Sequence, residues 1–219
     1  MPRSKKTRTR STDFAPPRHL RRLELTRRQV AAEAARIIAT EGQYNYHAAK
    51  KKAADRIGVS ERLALPSNIE VKDALRQYQE LYGGPDHRRN LEDMRRIAIQ
   101  AMQSLESFNP RLVGAVLDGT AAEHTRIALH LFADSVESVV LFFLERGTPF
   151  TQEQRQIRWF DGEHRTVQLI VTELEGREIE LVVFEQLHLR QAPPSPIGGK
   201  PQRRATLAEV EFLLSQQTA

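Results

Sequence analysis

The chain has 219 residues, of which 40% are apolar and 28% charged, with a formal net charge of +5. That is enough for one large domain or two small ones with a real core. The absence of cysteine excludes disulfides and thiolate metal sites. The longest apolar run, residues 139–144, is far short of the ~20 residues of a membrane span. No hydrophobic stretch follows the basic start, so no secretory signal or membrane partner is expected, and the expected compartment is the cytoplasm.

The charge is unevenly spread. Residues 1–29 hold ten Lys and Arg against Asp13 and Glu24, about +8, so the remainder sums to about −3. Residues 1–26 are therefore read as a basic arm, disordered when alone. Its Lys5, Lys6, Arg8, Arg10, Arg21 and Arg22 suit phosphate polymers such as RNA or the ribosome, through counterion release. A solubilising tail is the alternative.

Residues 27–108 read as a helical domain. A helix over 27–40 stops at Glu41-Gly42, and a second covers 47–57 and stops at Gly58. Val71, Leu75, Tyr78 and Tyr82 recur at helical spacing, with Ser67 or Asn68 as the cap. A longer helix over 86–107 places Leu91, Met94, Ile97, Ala98, Ala101, Met102 and Leu105 on one stripe, and Asn109-Pro110 ends it.

Residues 109–219 change character. Residues 111–118 read as a strand and 126–132 as another, with Ile127, Leu129 and Leu131 alternating against Ala128, His130 and Phe132. A helix over 135–146 follows. Strands over 155–160, 166–173 and 178–184, separated by Asp161-Gly162 and Glu175-Gly176, predict an antiparallel meander. A last helix spans 206–214. The fold class is α+β, a helical N-terminal half followed by a mixed β-sheet domain with flanking helices.

Two stretches resemble known families. AARIIATEGQYNYHAAKKKAADRIGVS is similar to the start of a helix-turn-helix domain of the tetracycline-repressor type. The resemblance implies a recognition helix over residues 61–65, which Pro66 cuts to little more than a turn. Lys50, Lys51 and Lys52 are the candidate phosphate contacts, or a solvated helix face.

LVGAVLDGTAAEHTRIALHLF resembles the core motif of the polymerase-β-like nucleotidyltransferases, especially the minimal bacterial ones. The family's Gly-Ser pair falls on Gly114 and Ala115, its Gly-Thr-Ala on Gly119, Thr120 and Ala121, and its Ser-Asp-Ile-Asp-Leu strand on Thr125 to Leu129. The resemblance implies a nucleotidyltransferase-like sheet in the second half. It also implies that the two metal-binding aspartates are replaced by Arg126 and Ala128. Two-metal transfer needs carboxylate oxygens, so catalysis would be lost and no cofactor is expected. The family's third carboxylate would be Glu178 or Glu180.

The expected ligand-binding residues are Gly114, Ala115, Thr125, Arg126 and His130. Arg126 is expected to pair with Glu178, Glu180 or a bound phosphate, and His130 is a neutral donor or a satisfied buried histidine. The leading expectation is a pseudoenzyme that binds nucleotide or RNA. One alternative is an active nucleotidyltransferase with a rearranged site, using Asp118, Glu123, Asp134 and Glu180 as unorthodox carboxylates and Mg2+ as cofactor. The other is a DNA-binding regulator. No P-loop, nucleophile elbow or metal-spaced histidines occur, and Ser195 and Trp159 read as loop and packing residues.

Overall fold

The computed structural model describes residues 18–41, 45–59, 65–195 and 197–218. Within them lie seven α-helices and one five-stranded mixed sheet. The first helices form where small and branched apolar residues repeat three or four apart. α1 (Arg18–Glu41) buries Val30, Ala34, Ile37 and Ile38. It packs on α2 (Tyr46–Ile57) through Ala49 and Ala53, and on α3 (Asn68–Tyr82) through Val71 and Leu75. Asn45 caps α2 by accepting from the His47 and Ala48 amides, and Gly58 closes it in the left-handed region. Ser67 and Glu70 form a reciprocal capping box on α3. Pro85 occupies the first turn of α4 (Gly84–Ser104).

β1 (Arg111–Val113), β2 (Ile127–Phe132), β3 (Phe150–Arg158), β4 (His164–Leu174) and β5 (Arg177–Phe184) lie in the order β1-β2-β5-β4-β3. Only β2 and β5 are parallel, with Ala128 opposite Glu180. α5 (Gly114–Asp118), α6 (Val136–Glu145) and α7 (Leu207–Thr218) complete the chain. Ile127, Leu129, Leu131, Ile179, Leu181 and Val183 share one sheet face and join the stripe of α4, Val139 of α6 and Val210 of α7 in the main core. The other face carries Arg126, Ala128, His130, Glu178 and Glu180, then a small apolar cluster of Phe132, Val167, Leu169, Val182 and Phe184.

Several expectations are corrected. The helix expected from residue 27 starts at Arg18, so residues 18–26 belong to α1 and not to an irregular arm. Leu, Arg and Glu are good helix formers, and the Arg28–Glu24 pair adds i,i+4 support. Lys5, Lys6, Arg8 and Arg10 lie outside the described residues, as do positions 61–64 of the expected recognition helix. The strand expected over 111–118 is three residues long. Gly114, at φ 72°, turns the chain into α5 instead. β3 begins five residues before the expected strand, because its polar first half lacks an apolar alternation to mark it. No helix among the described residues is long and apolar enough to cross a membrane.

Candidate functional site

The mixed-charge face of the sheet floors a cleft of about 750 Å³, lined among others by Gly114, Ala128, His130, Arg155, Trp159 and Glu180. Its floor is set by strand pairing. The parallel β2–β5 register brings Ala128 beside Glu180, and the absence of a side chain beyond Cβ at Ala128 leaves that carboxylate open to the cleft. Glu180 is 7% exposed, so its charge requires partners. Arg155 on β3 supplies them as a two-pronged clamp, at 2.8 and 2.6 Å.

Arg126, immediately before β2, joins the same network. Its Nε donates to Glu178 at 3.0 Å, its Nη1 reaches Glu153 at 3.3 Å, and Glu180 lies 3.8 Å away. The hydrogen bond to Glu178, then that to Glu153, holds the guanidinium pKa above its ordinary value against some burial. Three carboxylates and two guanidiniums thus form one network, of which Glu180 and Arg155 line the cleft. Among the described residues no three His, Asp or Glu side chains are arranged to hold a metal ion.

His130 lies one alternation beyond Ala128 on β2 and is 3% exposed. Burial first, and then the Arg204 charge, hold its pKa down at about 3, so the ring is neutral. Arg204 Nε donates to His130 Nδ1 at 3.3 Å. An arginine only donates, so Nδ1 is the acceptor and the ring proton sits on Nε2. Arg204 is itself held by the His188 carbonyl at 2.7 Å and stacks on Phe132. Burial, with the Arg111 charge behind it, lowers its pKa to about 10. Arg204 Nη2 is buried and finds no acceptor among the described residues.

The far wall is the β3–β4 hairpin, with Trp159 and Phe160 edge to face and Arg158 beside them. Arg158 is exposed and has no carboxylate partner among the described residues. On the opposite side Ser195 Oγ accepts from the Ile197 amide, which makes it a turn residue.

Of the residues singled out from the sequence, the cleft gathers Gly114, His130 and Glu180, and Arg126 approaches Glu180 from beside it. Ala115 packs toward the core and its carbonyl accepts from the Thr120 amide. Thr125 Oγ1 accepts from the Ala122 amide, closing the turn before β2. Asp118 pairs with Lys72 at 2.6 Å beside a separate groove. Glu123 lines another groove, where its carbonyl accepts from Arg177. Asp134 is exposed after β2. Asp118, Glu123 and Glu180 therefore do not converge. Arg21 is exposed on α1, as is Arg22. Lys52 is paired with Glu41, and Lys50 donates to Asn68. Sequence reasoning missed Glu153 and Arg155, whose partners lie across the sheet, Arg158 at the hairpin, and the pairing of Arg204 with His130 from a distant loop. Comparison with protein-family models, with curated proteins and with solved structures finds no match.

Proposed function

We propose that this chain is a catalytically degenerate nucleotidyltransferase-like protein whose cleft binds a nucleotide or RNA without a metal ion. The observation that carries the reading is the state of Glu180. A lone carboxylate at the cleft floor is clamped by Arg155 and approached by Arg126. Guanidiniums are permanently charged and cannot ligate magnesium, so positive charge stands where a two-metal reaction would bring its cations.

The remaining cleft chemistry suits recognition. Exposed Phe160, and the face of Trp159 that the Arg165 guanidinium does not cover, offer surfaces on which a base can stack, worth about 1–3 kcal/mol per base. Arg158 adds an uncompensated charge for a phosphate, and neutral His130 adds one donor. The exposed Arg21 and Arg22 continue the basic segment of the sequence, which in this reading adds sequence-independent phosphate contacts. A rearranged catalytic metal site gains no support from Asp118, Glu123 and Glu180, which sit in three different places.

Trp159 is the single tryptophan and lines the cleft, so its fluorescence reports occupancy directly. Titration with nucleoside triphosphates and short single-stranded RNA is expected to quench it equally with magnesium or a chelator. Arg158→Ala is expected to weaken binding about tenfold, the loss of one charge-assisted contact. No spectral change with any nucleotide or RNA would overturn the proposal, as would magnesium-dependent transfer of a nucleotide label to an acceptor.

A further inference from the structure

β3 is the outermost strand of the sheet, and among the described residues no strand pairs with its outer edge. It runs nine residues in unbroken register with β4, without a bulge, and contains no Pro, Gly or Lys. Edges this long and regular are ordinarily blunted, because their free amides and carbonyls template further pairing.

The direction of those free groups follows from the hairpin. The Trp159 amide donates to the Glu163 carbonyl at 2.7 Å, in the register that pairs Arg158 with His164. Antiparallel ladders alternate, so Ile157, Arg155, Glu153 and Thr151 turn their main chain toward β4. Arg158, Gln156, Gln154 and Gln152 turn theirs outward.

We propose that this edge is an interface for a second copy of the chain, pairing β3 with β3 antiparallel about a two-fold axis at Gln154 to make one continuous sheet. The segment Gln152-Glu153-Gln154-Arg155-Gln156 is symmetric in its amides and inverts its charge about the centre. With the axis at Gln154, that residue faces itself through two main-chain hydrogen bonds, and Gln152 faces the second copy's Gln156. Glu153 meets the second copy's Arg155, and both stand on the cleft face, where they already contact Arg126 and Glu180. Thr151 meets Ile157, a β-branched pair at the closer, non-hydrogen-bonded spacing. A shift of the axis to residue 153 sets Glu153 against itself, and a shift to 155 sets Arg155 against itself. Opposite charges therefore select one register and like charges reject its neighbours. The interface also places the second copy's β3 beside the hairpin wall of the cleft.

The chain has no native cysteine, so single cysteines report register cleanly. Cα atoms of a hydrogen-bonded antiparallel pair lie ~5.5 Å apart, within disulfide reach. Under mild oxidation Gln154→Cys is expected to give a covalent dimer, whereas Gln152→Cys and Gln156→Cys alone stay largely monomeric and cross-link when mixed. Light scattering of the unmodified chain is expected to give twice its 25.0 kDa mass at high concentration. Gln154→Pro is expected to return it to a monomer while keeping the native circular dichroism, because the lost amide points away from β4. Gln154→Lys, which sets like charges on the axis, is expected to do the same, and mixing it with Gln154→Glu is expected to restore dimers. A monomeric mass for the unmodified chain at every concentration would overturn the proposal. Equal cross-linking at all three positions, or a dimer that survives Gln154→Pro, would overturn it as well.

Discussion

Arg155 and Glu180 are 25 residues apart in sequence and meet through two hydrogen bonds of 2.8 and 2.6 Å across the floor of the cleft. The two ends differ in exposure: the Glu180 side chain is 9% exposed and that of Arg155 is 50% exposed. The carboxylate is the group at risk if the pair is broken. Arg155→Ala would leave it with Arg126 alone, at 3.8 Å. The expected loss in urea unfolding is about 2 kcal/mol, below the 3–5 of a fully buried pair because water reaches the arginine side. Replacing both partners, Arg155→Met with Glu180→Leu, is expected to recover most of that loss. A double variant no more stable than Arg155→Ala would mean that the clamp, and not merely the relief of a buried charge, holds β3 to β5.

The same network predicts what it would take to hold a cation. Arg126→Asp, Ala128→Asp and Arg155→Gln together add two carboxylates beside Glu153, Glu178 and Glu180 and remove the clamp on Glu180. In metal-free buffer this variant is expected to be less stable than the parent, from like-charge repulsion. With magnesium or manganese at about ten times Kd it should gain about 1.4 kcal/mol, roughly 3–5 °C in Tm for a chain of this size. The parent chain is expected to show no such shift. A parent that responds to divalent cations as strongly as the variant would sink the metal-free reading of the cleft.

How much of this was legible in the sequence depended on whether a signal was local. The stripe from Leu91 to Leu105 and the alternation of β2 are set by neighbours three, four or two residues apart, and both appear in the fold as read. That Arg126 sits among glutamates was also readable, because alternation puts it beside Glu178 once β2 and β5 are neighbours. Its third partner Glu153, like Arg155, comes from an edge strand whose polar first half has no burial pattern to betray it. Arg204 lies 74 residues from His130 in a Pro- and Gly-rich loop, where no periodicity exists. The misreading of residues 111–118 had a different cause. A short apolar run suits a strand or a buried turn equally, and one glycine decided between them.

That glycine makes its own prediction. Gly114 lines the cleft at φ 72°, and a Cβ added there would lie 3.9 Å from the Ala128 Cβ, ordinary contact distance. Space is therefore not the constraint, and conformation is. Gly114→Ala is expected to cost about 1 kcal/mol by thermal or urea unfolding, the penalty of a left-handed alanine. A change within a few tenths of zero would mean that the β1–α5 junction relaxes out of the left-handed region.

His130 titrates at about 3 in the fold against about 6.5 in an unfolded chain, because burial and then Arg204 oppose its charge. Below about pH 6.5 the unfolded state binds a proton that the native state refuses, so stability falls as pH falls. The contribution is fully present above the unfolded value and is lost progressively down to about pH 3, at about 1.4 kcal/mol per unit. His87, also lowered by burial, acts in the same direction. Carboxylates held low, such as Glu33 at about 2 beside Arg36, bear on stability only below about pH 4.5 and leave the upper window to the histidines. Comparing urea unfolding at about pH 6.5 and about pH 5 isolates the effect. His130→Asn is expected to reduce the loss over that interval by up to about 2 kcal/mol, equivalent to one proton fewer taken up on unfolding. It keeps an oxygen acceptor for Arg204. An unchanged pH dependence in that variant would show that His130 is already protonated in the native state, and would remove the neutral donor assigned to the cleft.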